Sequence, residues 1–160
     1  MSTRPVQDEQ LTLVIGIGNF YRGDDALGIV VARRLKARNP DHITIVEQSG
    51  EGAALMAAWQ HASSVIVVDA MKSGAQPGSI QRFDAHTEPL PSRIFPKSTH
   101  AFSLVEAIEL ARVLGQLPQQ LIVYAVEGKN IAPGEGLSAE VEQAADELER
   151  LLAGPQVIVA

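Results

Sequence analysis

Three carboxylates and one imidazole in this sequence have the types and positions that metal-dependent or acid–base chemistry needs. Asp24 and Asp25 follow a Gly-x-Gly-Asn turn at 16–19, which ends a short apolar run. Asp69 ends a second apolar run, and His100 opens a later amphipathic segment. Open α/β sheets build their sites beyond the carboxyl ends of their strands. These side chains are therefore predicted to meet at one edge of a sheet.

Two carboxylates and an imidazole suit a divalent first-row metal ion that keeps open coordination positions. Asp25, Asp69 and His100 form such a set. Each also has an ordinary structural explanation. An aspartate at a helix start accepts backbone N–H bonds and favours the positive end of the helix dipole, and an aspartate after a strand starts a turn. The residues alone leave both interpretations open.

Other common chemistries find less support. The glycines at 16 and 18 lack the third glycine of the dinucleotide-binding pattern, because Tyr21 occupies its position. The chain has no cysteine, no His-Glu-x-x-His helix and no Gly-x-Ser-x-Gly elbow. Thiolate catalysis and disulfides are excluded, and a self-contained zinc protease is disfavoured. Nucleotide binding remains a weaker alternative.

The elements that must position these residues alternate along the chain. Short apolar runs predict strands at 11–17, 43–47, 64–69, 79–83 and 120–126. Amphipathic patterns predict helices at 24–38, 51–60, 99–114 and 138–152. This alternation predicts an α/β fold in three layers, with a twisted, mostly parallel sheet of about five strands and helices on both faces.

The whole chain of 160 residues is predicted to form one domain, 1–160, with 1–10 and 154–160 as loose tails. The net charge of −6 argues against nucleic acid or an anionic membrane as the main partner. No apolar run approaches the ~20 residues that span a bilayer, and residues 1–10 lack an apolar signal core. We therefore expect a cytoplasmic protein. We also expect a monomer, since no large apolar stripe remains after the helices pack.

Several segments, taken in order, resemble the hydrogenase maturation endopeptidase family. The resemblance covers nearly the whole chain. It rests on the segments 16–19, 23–28, 67–70, 74–78, 98–103 and 134–138. It implies an endopeptidase that removes the C-terminal extension of a nickel–iron hydrogenase large-subunit precursor after nickel insertion. The implied partner is that precursor.

The resemblance also assigns roles to residues. It implies that Asp25, Asp69 and His100 bind nickel that the substrate brings, so no tightly bound intrinsic metal is expected. Asn19 and Asp24 match other recurrent positions and are assigned to shaping the turn and supporting the ligands. Asp24 or Asp69 is a candidate general base. The segment 86–97, which contains three prolines, is either a specificity loop or an ordinary connector.

The sequence leaves two alternative functions open. One is a relative with the same fold that binds a metal or a metalloprotein without cutting it. The other is a nucleotide-binding α/β domain.

Overall fold

The structure is a computed structural model that describes residues 11–95 and 100–154. The predicted tail 1–10, and all but the first residue of the predicted tail 154–160, lie outside the described residues. The strands are β1 Thr12–Ile17, β2 Ile43–Gln48, β3 Ser64–Met71, β4 Ile80–Asp84 and β5 Gln120–Glu127. The α-helices are α1 Leu27–Arg38, α2 Gly52–Trp59, α3 Leu104–Val113 and α4 Ala139–Ala153. Short 3-10 turns occupy Gly23–Ala26 and Ser92–Ile94.

The five strands form one sheet in the order β2-β1-β3-β5-β4. Strands β2, β1, β3 and β5 run parallel to one another, and β4 pairs antiparallel with β5. The predicted α/β fold with a mostly parallel sheet is confirmed. The chain moves from β1 to β2 on one side and then returns to place β3 on the other side of β1. The carboxyl ends of β1 and β3 therefore flank the crevice at which open α/β sheets bind ligands.

Helices cover both faces of the sheet. Every residue of β1 and of β3 is buried, as expected for central strands with helices on each side. On one face, Val14 and Val68 pack into a core with α1 and α4. On the other face, Ile15 and Val67 pack into a core with α2 and α3. Alternate residues of each strand thus contribute to separate cores, which holds both strand ends in place.

Two glycines allow α1 to lie directly on the sheet. A Cβ at Gly16 would overlap the carbonyl oxygen of Gly28, and a Cβ at Gly28 would overlap the carbonyl oxygens of Ile17 and Val68. Helix and strand backbones are therefore in contact where β1 and β3 approach their carboxyl ends. This close approach fixes where the residues that follow β1, including Asp25, enter the crevice.

Two predicted helix starts were wrong, and β3 continues two residues past its predicted end at Asp69, to Met71. The third helix begins at Leu104 rather than at residue 99, so His100 does not open it. The reason is local: the N–H and hydroxyl of Ser103 both donate to the Glu106 carboxylate, at 3.2 and 2.8 Å, and fix the helix start there. The first helix begins at Leu27, because residues 23–26 form a 3-10 turn.

Within residues 11–95 and 100–154, no helix is long and apolar enough to cross a membrane. The segment 86–97 contains the 3-10 turn Ser92–Ile94, and its last two residues lie outside the described part of the chain.

Candidate active site

A cleft of about 760 Å³ lies at the carboxyl ends of β2, β1 and β3. Its lining includes three of the four predicted site residues, Asp25, Asp69 and His100. Asp25 comes from the 3-10 turn after β1, Asp69 from β3, and His100 from the segment before α3. The sheet topology thus brings these residues from distant parts of the chain to one cavity, as predicted, although Asp69 lies within β3, two residues before its end. Asp24 does not line the cavity.

The carboxylate of Asp25 interacts electrostatically with that of Asp69. Asp69 is buried, and burial together with the neighbouring Asp25 carboxylate raises the pKa of Asp69 well above its ordinary value. The Ala70 N–H, which donates to Asp69 Oδ1 at 2.8 Å, only partly opposes this. Burial also raises the pKa of Asp25, while the charge of Arg22 lowers it. Two carboxylates that repel each other in a cavity bind a proton or a cation favourably.

His100 is half-buried and is held at the β2 side of the cleft. Its Nε2 lies 3.2 Å from the hydroxyl oxygen of Ser49. Ser49 is the residue that directly follows β2. Glu51 stands close to it: the N–H groups of Ala53 and Ala54 lower the pKa of Glu51, and the charge of His100 lowers it further. Neither Ser49 nor Glu51 was predicted as a site residue. No sequence signal marks them, since their role arises from proximity in the fold.

The three predicted ligands share a cleft without forming a ready coordination shell. Among the described residues, no group of three histidine, cysteine, aspartate or glutamate side chains is arranged to hold a metal ion. Metal binding by Asp25, Asp69 and His100 therefore stays a prediction. The chemistry of the set suits it: two carboxylates that repel each other, and an imidazole held by a hydroxyl, are acceptors for a borderline divalent cation.

Asp24 has a different role from its neighbour. It is fully buried, and its Oδ2 accepts hydrogen bonds from the N–H groups of Lys129 and Asn130, each at 2.8 Å. Ser138 donates from its N–H to Oδ1 at 2.7 Å and from its hydroxyl to Oδ2 at 2.9 Å. Burial raises the pKa of Asp24, but these four hydrogen bonds outweigh it and leave the pKa below its ordinary value. This arrangement supports the predicted turn-shaping role and opposes the predicted general-base role.

Other residues fix the loops around the cleft. The Asn19 side chain accepts the Tyr21 N–H at 3.0 Å, so it shapes the turn after β1 as predicted. Glu127, at the end of β5, was not predicted as important. It is buried, and the N–H groups of Ser73 and Gly74 donate to its carboxylate at 2.9 and 2.8 Å. The sequence signal for Glu127 is similar to that for Asp69: each is a carboxylate at or near the end of an apolar run.

The family model for hydrogenase maturation proteases matches residues 29–154 of this chain. The chain belongs to the hydrogenase maturation protease family. The matched range contains Asp69 and His100 and begins just after Asp25. Family membership places the protein among the peptidases, which are hydrolases, and confirms the resemblance seen in the sequence motifs.

Individual members of the family agree with this assignment. The hydrogenase 2 maturation protease of Escherichia coli K12 is 28% identical over 146 residues, which is 88% of each chain. Among solved structures, the hydrogenase-maturating endopeptidase HybD from E. coli is similar with a TM-score of 0.71 and 26% identity, covering 89% of this chain and 90% of that one. The NiFe hydrogenase maturation protease HycI from Thermococcus kodakarensis gives a TM-score of 0.67 and 27% identity, covering 90% of each.

Proposed function

We propose that this maturation protease removes the C-terminal extension of a nickel–iron hydrogenase large-subunit precursor after nickel insertion, and that it recognises the nickel bound to that substrate. The observation that carries the proposal is the cleft, which brings Asp25, Asp69 and His100 together in a maturation-protease fold. We further propose that the reaction takes place in the cytoplasm and that the enzyme acts on the precursor as a monomer.

The substrate's nickel would bind to Asp25, Asp69 and His100 through coordination positions that the precursor leaves open. The mutual repulsion of the two carboxylates favours such a cation, because its charge compensates both of them. A precursor without metal gains none of this interaction, so the site discriminates between loaded and unloaded substrate. In this way the protease tests that insertion is complete before it cuts.

The chemical step is hydrolysis of one peptide bond. Water adds to the scissile carbonyl carbon, the C–N bond breaks, and the leaving amine takes up a proton. The substrate's nickel can polarise the carbonyl or activate the water. Of the two candidate bases, Asp69 lies in the cleft and Asp24 is held by four donors outside its lining. Asp69 is therefore our candidate for the residue that exchanges the proton.

The test is to incubate the purified protein with the large-subunit precursor from the same organism, with and without nickel, and to weigh the products by mass spectrometry. Loss of a C-terminal peptide from the nickel-loaded form alone is the expected result. Cleavage of both forms would remove the nickel checkpoint but leave the protease activity standing.

Intact products from a verified nickel-loaded precursor would overturn the proposal. Binding of that precursor without cleavage would then point to the non-proteolytic relative. A rise in melting temperature with nucleotide, and none with precursor, would point to the nucleotide-binding domain, because ligands that bind the native state stabilise it.

A further inference from the structure

The cleft has two ends of different character. The end at β2 carries His100 and Ser49, together with Arg33, whose charge is matched by Glu47 at 3.2 Å. The other end, beyond β3, is lined by Lys72 and Arg93, which we call the basic end. The protein as a whole carries a net charge of −6, so a pair of cations beside its candidate active site is not explained by composition.

A backbone hydrogen bond brings the two segments that carry the cations of the basic end together. Lys72 directly follows β3, and its N–H donates to the carbonyl oxygen of Ile94 at 2.6 Å. This hydrogen bond fastens the segment that carries Arg93 to the end of the strand that carries Asp69. Both cationic side chains are exposed. Since Arg93 lies within the segment 86–97, the bond also gives that segment a defined place at the cleft.

The charges of the basic end are not used within the described part of the chain. Neither Lys72 nor Arg93 makes an ion pair with a described carboxylate, and the Lys72 ammonium donates only to the carbonyl oxygen of Lys129, at 3.3 Å. Arg22, a further cation of the lining, acts on Asp25 instead. Lys72 and Arg93 therefore present their charge to whatever occupies the cleft.

We propose that the basic end binds acidic side chains of the C-terminal extension, within its first few residues beyond the scissile bond. The inference rests on the proposed function, which places the scissile bond beside Asp25 and Asp69. Lys72 follows Asp69 by three residues, a path of at most ~10 Å at about 3.3 Å per residue. An extended tail covers that distance in about three residues, so a carboxylate in roughly the first six residues of the extension can reach the basic end.

This inference assigns opposite charges to the two parts of the substrate. The carboxylates at the centre of the cleft receive a cation, and the basic end receives the anionic segment that follows it. The protease then selects substrates by the order of the charges along their chain. The electrostatic attraction affects the affinity for the substrate more than the rate of the chemical step. The segment 86–97 would thus be a specificity loop through Arg93.

The experiment measures cleavage rates of nickel-loaded precursor at increasing precursor concentration. It compares the wild-type protein with Lys72→Gln/Arg93→Gln and with Arg150→Gln, a control that removes an exposed cation of α4 outside the cleft. Two exposed charge interactions predict a KM raised roughly three- to tenfold in the double variant, with kcat unchanged. The control should match the wild type, and thermal melts should show all variants folded.

The decisive arm changes the substrate, so that enzyme folding is not at issue. Asp and Glu residues in the first six positions of the extension are replaced by Asn and Gln. The wild-type protein should then show the raised KM, and the double variant should lose nothing further. Independent, additive losses would overturn the inference, as would an unchanged KM, a fall in kcat alone, or an extension with no acidic residue in that stretch.

Failure of the inference is distinguishable from failure of the proposed function. If wild-type protein does not cut a nickel-loaded precursor, the proposed function fails. Binding of a fluorescein-labelled synthetic extension peptide then tests the basic end separately, by anisotropy at low and high salt. Tight, salt-sensitive binding that is lost in Lys72→Gln/Arg93→Gln would support the basic end as a binding site for the extension. Equal binding by the double variant would contradict it.

Discussion

The adjacent residues Asp24 and Asp25 lie in environments that shift their pKa values in opposite directions. Asp24 lies among four donors, which lower its pKa despite burial, whereas burial raises the pKa of Asp25, and the Asp25 carboxylate acts on Asp69. The sequence pattern predicted both as site residues but did not show that their roles differ. The donors to Asp24 lie more than a hundred residues later in the chain, so no local pattern shows them.

The two aspartates should therefore respond differently to the same substitution. Asp24→Asn replaces one acceptor oxygen with an NH₂ group that faces N–H donors, so we expect a loss of roughly 2–4 kcal/mol in the free energy of unfolding. Asp25→Asn removes a charge that repels Asp69, so stability should be unchanged or slightly raised while processing is lost. Urea titrations and the precursor cleavage assay measure both. Equal destabilisation by the two substitutions would contradict the separation of roles.

His100→Ala should abolish processing and leave the fold intact. The imidazole is half-buried in the segment before α3, and its contact with Ser49 is at the cleft rather than in either core. We therefore expect no detectable removal of the C-terminal peptide by mass spectrometry, with a melting temperature close to that of the wild type. His61→Ala, at an exposed position outside the cleft, is the matched control and should cleave normally. Cleavage by His100→Ala would remove that residue from the predicted ligand set.

At the scale of elements, the strands were predicted more closely than the helix starts. The central strands β1, β3 and β5, of six to eight residues, coincide with predicted apolar runs, and every residue of β1 and β3 is buried, as expected for strands covered on both faces. The predicted start of α3 was wrong by five residues, although the Ser-x-x-Glu signal at 103–106 is present in the sequence. Apolar periodicity continued upstream of that signal, and the local hydrogen bonds of Ser103 and Glu106 decided the boundary.

The start of α3 should be sensitive to pH. Chiefly the Ser103 hydroxyl hydrogen bond lowers the pKa of Glu106 from its ordinary 4.5. A carboxylate with a lowered pKa stabilises the fold above the pKa of the unfolded chain, and this contribution is lost as the pH falls through the pKa of the folded state. Glu106→Gln should cost about 0.5 kcal/mol or less at pH 7, given that the side chain is exposed. Urea titrations from pH 7 to pH 3 should show this difference shrinking, and a difference that grows at low pH would contradict it.

The close contact between α1 and the sheet should not tolerate a larger residue at Gly28. A Cβ at Gly28 meets two carbonyl oxygens of β1 and β3, so Gly28→Ala must push the helix away from the strand ends. We expect a loss of about 3 kcal/mol in the free energy of unfolding, measured by urea titration, and reduced processing because Asp25 moves with the helix. Gly154→Ala, where the added Cβ meets only ordinary contacts beyond 3.4 Å, is the control and should be neutral.

At the scale of the whole molecule, the fold class followed from the alternation of strands and helices, but the strand order did not. Five strand patterns along a sequence do not tell which strands pair, and the antiparallel edge strand β4 is short and mostly polar, like a loop. That order nevertheless decides function, because it places the ends of β1 and β3 side by side. The motifs supplied the candidate residues, and the topology decided which of them share a cleft.

The purified protein should carry little metal of its own. The described residues provide no ready set of three ligands, so a cation entering alone must draw Asp25, Asp69 and His100 together. A nickel ion that arrives already held by the precursor needs only the positions left open. We therefore expect well under one nickel or zinc per chain in purified protein by plasma mass spectrometry, and weak binding of free Ni²⁺ by calorimetry. The precursor should bind much more tightly when loaded with nickel than without it, and Asp69→Asn should remove that difference. Stoichiometric metal that survives dialysis against chelator would contradict a substrate-borne nickel and indicate a self-contained metalloprotease.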